Sequence, residues 1–363
     1  MRFLLDIVDS IRANVGSDVV LGMRMSADEG EGVVDGIRLP YSEEIAKVLA
    51  DTGEIDYISV TIGIRGTYVK DMSVRVGPAV PLAAAIRKAS VLPVIAAQRI
   101  NHPSLAETAL ASGAADMIGM AWAVIAAWQW AAKARDGRVE EIRPCIACIQ
   151  VCRSGIMGCV HSPTAGRETV WGPGSLKPAP TRRKVVVVGE GPAGMVDVVR
   201  VLEPDSETEE LLASASSAVV VDDGSGFWET CGAAEALGKR GLQVHFVSPA
   251  GMIAANLPTE SIGPLTQRLR WLGVNLLPMH RVSSIEPGKV SVYDAVRVAA
   301  TRILEEKELP ADIVVYFCGK KVVEGHAEEL KGKVPEVHMV GDCVSPRRIN
   351  QAVLEAHRVG RSL

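Results

Sequence analysis

Four of the seven cysteines, Cys145, Cys148, Cys152 and Cys159, follow one another with the spacing C-x2-C-x3-C-x6-C. Thiolates are soft ligands, and loops of two or three residues let successive sulfurs converge on one metal centre. Three closely spaced cysteines with a trailing fourth favour a [4Fe–4S] cluster. Structural zinc, which more often uses two separated C-x2-C pairs, and unligated or redox-paired thiols are the alternatives.

The composition indicates a globular protein of two or three domains, since the 363 residues are 48% hydrophobic and 23% charged. A net charge of −4 gives no basic surface for nucleic acid or anionic membrane. Asp6 and Asp9 interrupt the N-terminal apolar residues, so no signal peptide is expected, and the longest apolar run is too short to span a bilayer. Reduced or metal-bound thiols and a cytoplasmic location are therefore expected.

The first 140 residues alternate short apolar runs with helical patterns. The strands are predicted at 19–25, 55–61, 93–97 and 116–120, and the helices at 42–49, 82–88, 103–112 and 121–136. Four such units predict an α/β fold with a parallel sheet, equivalent to half of a (β/α)8 barrel. Asn101 is the expected cap of the helix at 103–112.

Three further regions follow this barrel portion. The cysteine segment occupies 141–170, and a linker rich in proline and glycine occupies 171–183. Residues 184–363 carry the patterns of a two-lobed, Rossmann-like nucleotide-binding region. Its first lobe has Gly189, Gly191 and Gly194 directly after a predicted strand, which allows a pyrophosphate to approach the backbone at a helix N-terminus.

The second lobe departs from a working dinucleotide loop. After the strand predicted at 218–222 it has Asp222 and Asp223, and then Phe227 and Trp228 where small residues are needed. Two carboxylates repel a pyrophosphate, and the aromatic rings block its approach. This lobe is therefore predicted not to bind NAD(P)H.

The order of a barrel half, the stretch RPCIACIQVC and a glycine-rich motif resembles one group of proteins. These are the iron–sulfur flavoproteins related to Old Yellow Enzyme, namely trimethylamine dehydrogenase, 2,4-dienoyl-CoA reductase and their N-demethylase relatives. The resemblance covers nearly the whole chain and implies FMN, a [4Fe–4S] cluster held by the four cysteines, and FAD or ADP. Relative to this group, the sequence lacks the first half-barrel and part of the FAD/ADP-binding region.

The resemblance also implies roles for individual residues. Arg24, in GMRMS, aligns with an arginine that contacts the flavin pyrimidine; the alternative is a strand-end arginine paired with a carboxylate. Gln98 and Arg99 lie in the loop that aligns with a phosphate-binding G-R-I loop, where Gln98 replaces the glycine. Gly119 belongs to a second phosphate loop, in which Trp122 stands where the family has arginine.

Outside these loops the assignments are fewer. Asp342 resembles the aspartate that meets the ribose of the flavin or ADP, with a strand-end turn or helix cap as the alternative. His102 and His161 are interpreted as capping or surface residues. The remaining cysteines are interpreted as core residues: Cys231, Cys318 and Cys343. No residue is assigned as catalytic.

The function implied by the resemblance is a flavin- and iron–sulfur-dependent oxidoreductase acting on a small-molecule substrate. Electrons would pass from FMN through the cluster to an acceptor, such as an electron-transfer flavoprotein or a partner subunit. The alternatives are an NAD(P)H-dependent enoate or 2,4-dienoyl-CoA reductase and a non-catalytic subunit that scaffolds an active partner. An oligomer is expected, with no nucleic-acid or membrane partner.

Overall fold

A computed structural model of the chain describes residues 1–64, 66–153, 157–172, 174–176, 206–317, 319, 322 and 327–363. The predicted glycine motif Gly189-x-Gly191-x-x-Gly194 and Cys318 lie outside these residues. The chain divides into two compact units, Met1–Ser175 and Leu176–Leu363. Within the described residues, no helix has the length and apolar character needed to cross a bilayer.

The first unit contains a four-stranded parallel sheet in the order β1-β2-β3-β4, with helices in the connections. The elements are α1 (Arg2–Val15), β1 (Gly22–Asp28), α2 (Leu39–Asp51), β2 (Tyr57–Ile62), α3 (Val80–Ser90), β3 (Val94–Ala96), α4 (Pro103–Ala111), β4 (Met117–Ile118), α5 (Trp122–Ala126), α6 (Trp130–Arg135) and α7 (Glu168–Trp171). The predicted α/β class and parallel sheet are confirmed. The sheet of the described residues is open, as half of a barrel would be.

The two faces of this sheet differ because side chains alternate along a strand. One face packs against the helices and is formed by residues such as Ile58, Val60 and Val94, each fully buried. Burying a side chain of this size stabilises the fold by about 1.5–3 kcal/mol. On the other face, one row of register partners crosses all four strands: Arg24, Ser59, Ile95 and Met117. In a closed barrel this second face forms the interior.

Two local predictions in the first unit are wrong. The single helix expected at 121–136 is two short helices, α5 and α6, separated by Ala127 in an extended conformation. The break lets Trp130 become buried, with its Nε1 donating to the Asn101 carbonyl at 3.3 Å. The N-cap of α4 is His102 rather than Asn101, and its Nδ1 accepts the N–H of Ser104 at 3.2 Å. The capping interpretation of His102 is thereby confirmed.

The second unit contains a parallel sheet in the order β11-β5-β6-β7 and an antiparallel sheet in the order β10-β9-β8. Its elements are α8 (Ser206–Ser214), β5 (Ser217–Val221), α9 (Trp228–Lys239), β6 (Gln243–Val247), α10 (Thr259–Trp271), β7 (Asn275–Leu277), β8 (His280–Glu286), β9 (Gly288–Asp294), α11 (Ala295–Thr301), β10 (Glu306–Ala311), β11 (Ile313–Tyr316), α12 (Ala327–Leu330) and α13 (Ile349–Ser362). The strand predicted at 218–222 corresponds to β5, whereas the antiparallel sheet was not predicted.

The carboxylate of Asp312 fixes the start of β11 against β5. Its Oδ2 accepts the N–H and the hydroxyl of Ser216 at 2.8 Å each, and those of Ser217 at 2.9 and 3.0 Å. These hydrogen bonds lower the pKa of Asp312 to about 2. Because the folded state has the lower pKa, the stabilisation is complete above the unfolded pKa and is lost as the pH falls through about 2.

We therefore expect Asp312→Asn to reduce the stability of the second unit near neutral pH and to flatten its dependence on pH between about 4 and 2. Urea midpoints measured by circular dichroism from pH 6 to pH 2 check this. The exposed Asp223→Asn is the control, because an asparagine oxygen can still accept the single N–H of Ser225 that Asp223 binds. Parallel pH profiles for the wild type and Asp312→Asn would contradict the assignment.

Candidate functional site

The four clustered cysteines surround one cavity in the first unit. This cavity is small, with a volume of about 20 Å³, and its walls include Cys145, Cys148, Cys152 and Cys159. All four thiols are free, so the structure does not show the redox-paired arrangement considered from the sequence. Trp122 and His161 also line the cavity. Neither the alignment of Trp122 with a phosphate loop nor the spacing of the cysteines predicts this position.

The four thiols are donors that suit either a [4Fe–4S] cluster or a single zinc ion. Among the described residues, no three His, Cys, Asp or Glu side chains converge closely enough to hold one metal ion. Zinc needs four ligands at about 2.0–2.3 Å around a single point. In a [4Fe–4S] cluster each thiolate binds a different iron, so four sulfurs lie around a cavity without meeting at one point.

Backbone N–H groups of the same loop point at the sulfurs. Ala147 donates its N–H to Cys145 Sγ at 3.3 Å, and the N–H of Gln150 hydrogen-bonds Cys148. Ala147 and Ile149 have φ values of 53° and 58°. A left-handed conformation is unfavourable for a β-branched residue such as Ile149 and costs about 1–3 kcal/mol. The strained backbone of this loop therefore directs N–H donors toward the sulfurs. In iron–sulfur proteins, such hydrogen bonds to sulfur tune the reduction potential of the cluster.

Three of the thiols have raised pKa values and so resist ionisation. Burial raises the pKa of Cys145 and Cys148, and it raises that of Cys152 to about 11. Neighbouring thiols of the set raise each pKa further, whereas the N–H bonds lower it in part. A bound metal centre supplies the positive charge that such thiolates require.

The loop predicted to bind phosphate is fixed by the side chain of Gln98. Its Oε1 accepts the N–H of Ile62 at 3.0 Å, and its Nε2 donates to the carbonyls of Ile62 at 3.1 Å and Tyr68 at 2.8 Å. Gln98 has a left-handed φ of 67°. The glycine that the family has at this position would adopt such a conformation readily. The Gln98 side chain thus stabilises the loop, and a contact of this loop with FMN phosphate stays a prediction.

Arg24 and Gly119 have different surroundings. Arg24 is exposed on the open face of the sheet, and its guanidinium forms no ion pair or hydrogen bond within the described part of the chain. The alternative interpretation, in which Arg24 pairs with a carboxylate, is therefore not observed among the described residues. Gly119 donates its N–H to the Ala96 carbonyl at 2.8 Å, and a Cβ there would lie 3.2 Å from Ile95 Cγ2. Gly119 thus permits close packing of β4 against β3.

Comparison with known proteins relates the first unit to one family. The NADH:flavin oxidoreductase / NADH oxidase family matches residues 1–141. Over these residues the chain is similar to flavin oxidoreductases. The open face that carries Arg24, together with the loops at 96–103 and 118–122, is here called the flavin-side surface, and its contact with flavin stays a prediction.

The matches to curated relatives extend beyond residue 141. NADH oxidase of Thermoanaerobacter brockii is 39% identical over 204 residues, covering 54% of this chain and 31% of the relative. The probable N-methylproline demethylase of Rhizobium meliloti is 35% identical over 209 residues, covering 54% and 30%. The chain therefore spans about a third of the length of the curated relatives it matches.

Solved structures show the same fold over the whole chain. Histamine dehydrogenase from Rhizobium sp. 4-9 aligns with a TM-score of 0.77 and 20% identity, covering 100% of this chain and 68% of its own. A 2-naphthoyl-CoA reductase aligns with a TM-score of 0.79 and 23% identity, with the same coverage. Both similarities concern the fold alone.

In the second unit, Asp342 lies in a short 3-10 helix, Gly341–Cys343, rather than at the end of a strand. Its Oδ1 accepts the N–H of Arg347 at 3.3 Å. The structure thus gives Asp342 a turn-stabilising contact, and a contact with ribose stays a prediction. The described residues bring no other predicted cofactor residue to Asp342, because the glycine motif lies outside them.

The carboxylate of Asp222 fills the loop where a dinucleotide fold receives pyrophosphate. Asp222 is 2% exposed, and it accepts the N–H groups of Gly224 at 3.1 Å and Gly226 at 3.4 Å. It also accepts the hydroxyls of Thr230 at 3.1 Å and Ser248 at 2.8 Å. The Asp222 carboxylate therefore occupies the N–H and hydroxyl donors that a phosphate would need. This arrangement agrees with the prediction that the lobe does not bind NAD(P)H.

Proposed function

We propose that this chain forms part of a flavin- and iron–sulfur-dependent oxidoreductase that passes electrons from FMN through a [4Fe–4S] cluster to an acceptor. One observation carries the proposal. Four free thiols with N–H donors surround one cavity in the same compact unit as the flavin-family sheet. The relatives named as a demethylase and a histamine dehydrogenase support an amine-type small molecule as substrate.

When bound, FMN accepts an electron pair from substrate and the cluster carries electrons singly, which is the chemistry the cofactors supply. The cysteine thiolates would hold the cluster, and the N–H groups of Ala147 and Gln150 stabilise negative charge on two of them. Trp122 and Ile125 line the same cavity as the sulfurs. The guanidinium of Arg24 offers positive charge on the flavin side of the sheet.

The finer parts of the proposal come from the sequence. The motif Gly189-x-Gly191-x-x-Gly194 and Asp342 support binding of FAD or ADP in a Rossmann-like region. The free thiols of the described cysteines support a cytoplasmic protein. The resemblance supports an oligomer that transfers electrons to a flavoprotein or a partner subunit.

The second candidate function is an NAD(P)H-dependent enoate or dienoyl-CoA reductase, which the similarity to NADH oxidase and 2-naphthoyl-CoA reductase favours. The carboxylate of Asp222 in the second nucleotide loop argues against it. Anaerobic NADPH titration of purified, flavin-loaded protein separates the two. We expect no bleaching of the flavin absorbance by NADPH, whereas dithionite bleaches it. Stoichiometric bleaching by NADPH would reverse the direction of electron flow.

A further inference from the structure

The loop between β3 and α4 is tied to the cysteine segment as well as to the flavin-side surface. Asn101 donates from Nδ2 to the carbonyl of Cys145 at 2.9 Å, and Trp130 Nε1 holds the carbonyl of Asn101. Two residues earlier, Arg99 has a left-handed φ of 53°, and its carbonyl accepts the N–H of Gly77 at 3.2 Å. The backbone on both sides of the Arg99 side chain is thus fixed beside the first cysteine.

The guanidinium of Arg99 is only partly satisfied by its surroundings. Its Nη1 is buried and has no hydrogen-bond partner among the described residues. The carboxylate of Asp71, which is 5% exposed, likewise has a buried Oδ2 without such a partner, while its Oδ1 accepts the N–H and hydroxyl of Ser73. Asp71 therefore neutralises Arg99 incompletely, and a donor remains available to another anion.

The Arg99 side chain lies within electrostatic range of Asp71 and of Cys145. Arg99 remains a cation at any accessible pH, so its effect on the sulfur is that of a fixed positive charge.

We propose that Arg99 is a positioning and potential-setting residue for the cluster, a half-buried cation near Cys145 that stabilises the reduced, more negative state. The inference rests on the proposed [4Fe–4S] cluster. Reduction adds one negative charge to the cluster, and a nearby cation in a desolvated site favours that step. The loop aligned with a phosphate-binding loop would thereby face the cluster through its arginine.

The test is a spectroelectrochemical titration of anaerobically purified full-length protein, with the reduced cluster quantified by electron paramagnetic resonance. At the wild-type midpoint potential, Arg99→Gln is expected to lower the ratio of reduced to oxidised cluster about tenfold, which corresponds to about 59 mV for a one-electron couple. Arg99→Lys is expected to retain most of the wild-type ratio. Arg138→Gln removes the same charge from an exposed arginine in the same unit and is expected to leave the ratio unchanged.

The outcomes separate this inference from the proposed function. Wild-type protein without iron would refute the cluster itself and with it the inference. A cluster whose ratio is unchanged in Arg99→Gln would overturn the inference alone, and weakened FMN binding with an unchanged ratio would assign Arg99 to phosphate instead. If Arg99→Gln cannot hold iron, Arg99→Lys decides: iron bound with the wild-type ratio supports the role of charge, and loss of iron there overturns it.

Discussion

Cys148→Ala is expected to lose most of its iron, from about four atoms per chain to less than about one, together with the visible absorption of the cluster. Cys148 is the most buried of the four ligand candidates at 8% exposed, and its sulfur receives the N–H of Gln150. Alanine supplies no donor atom, and the cavity walls offer no described carboxylate as a substitute. Three remaining thiolates leave one iron without a protein ligand, and such clusters are labile.

The matched control is Cys343→Ala in the second unit. Cys343 is also a free, partly buried thiol, and its Sγ donates to the Val340 carbonyl at 3.1 Å. We expect this variant to keep full iron and sulfide content. Iron and acid-labile sulfide assays on anaerobically purified protein measure both variants. Full iron retention in Cys148→Ala, or equal loss in both variants, would contradict the ligand assignment.

Asp222→Ala is expected to destabilise the second unit by about 3–5 kcal/mol, because it leaves buried hydroxyl and N–H donors without an acceptor. Thr230 is 1% exposed and Ser248 is 1% exposed, so water cannot readily replace the carboxylate. For a unit of this size the loss corresponds to a decrease in Tm of about 10 °C. Differential scanning calorimetry measures the decrease, with each unit's transition followed separately.

Asp223→Ala is the control for this prediction. Asp223 adjoins Asp222 but is exposed, and its carboxylate accepts one N–H, that of Ser225 at 2.8 Å. We expect a loss of about 1 kcal/mol from this variant. Equal destabilisation by both variants would show that the buried network of Asp222 has no special role. NADPH binding gained by Asp222→Ala would further support the view that its carboxylate occupies a phosphate position.

The sequence predicts the larger features of the fold because its patterns are local. Strand alternation and helix periodicity locate β1 to β4 within a few residues, and the cysteine spacing identifies the site. The break between α5 and α6 could not be predicted, since the burial of Trp130 outweighs a helical pattern with no proline or glycine in it. The antiparallel sheet of the second unit was also missed, because most positions in its strands are not buried and the strands carry few continuous apolar runs.

The site is less predictable than the fold because its details depend on tertiary contacts. No spacing rule indicates that Trp122 and His161 line the cysteine cavity or that Asn101 binds the Cys145 carbonyl. The left-handed conformation of Ile149 could not be predicted, because β-branched residues rarely adopt it. Its cause is the position of the loop beside the sulfurs. The replacement of the family's glycine by Gln98 suggests the loss of a phosphate contact. In the structure, the side-chain amide of Gln98 hydrogen-bonds the backbone N–H and carbonyl of Ile62 at the end of β2.

The most direct test of the central claim is Mössbauer spectroscopy of protein produced with 57Fe and purified without oxygen, combined with elemental analysis. The account predicts about four irons and four sulfides per chain in one [4Fe–4S] cluster, with zinc well below one equivalent. One zinc per chain with no iron, or four thiols that all react with an alkylating reagent in the native protein, would contradict it.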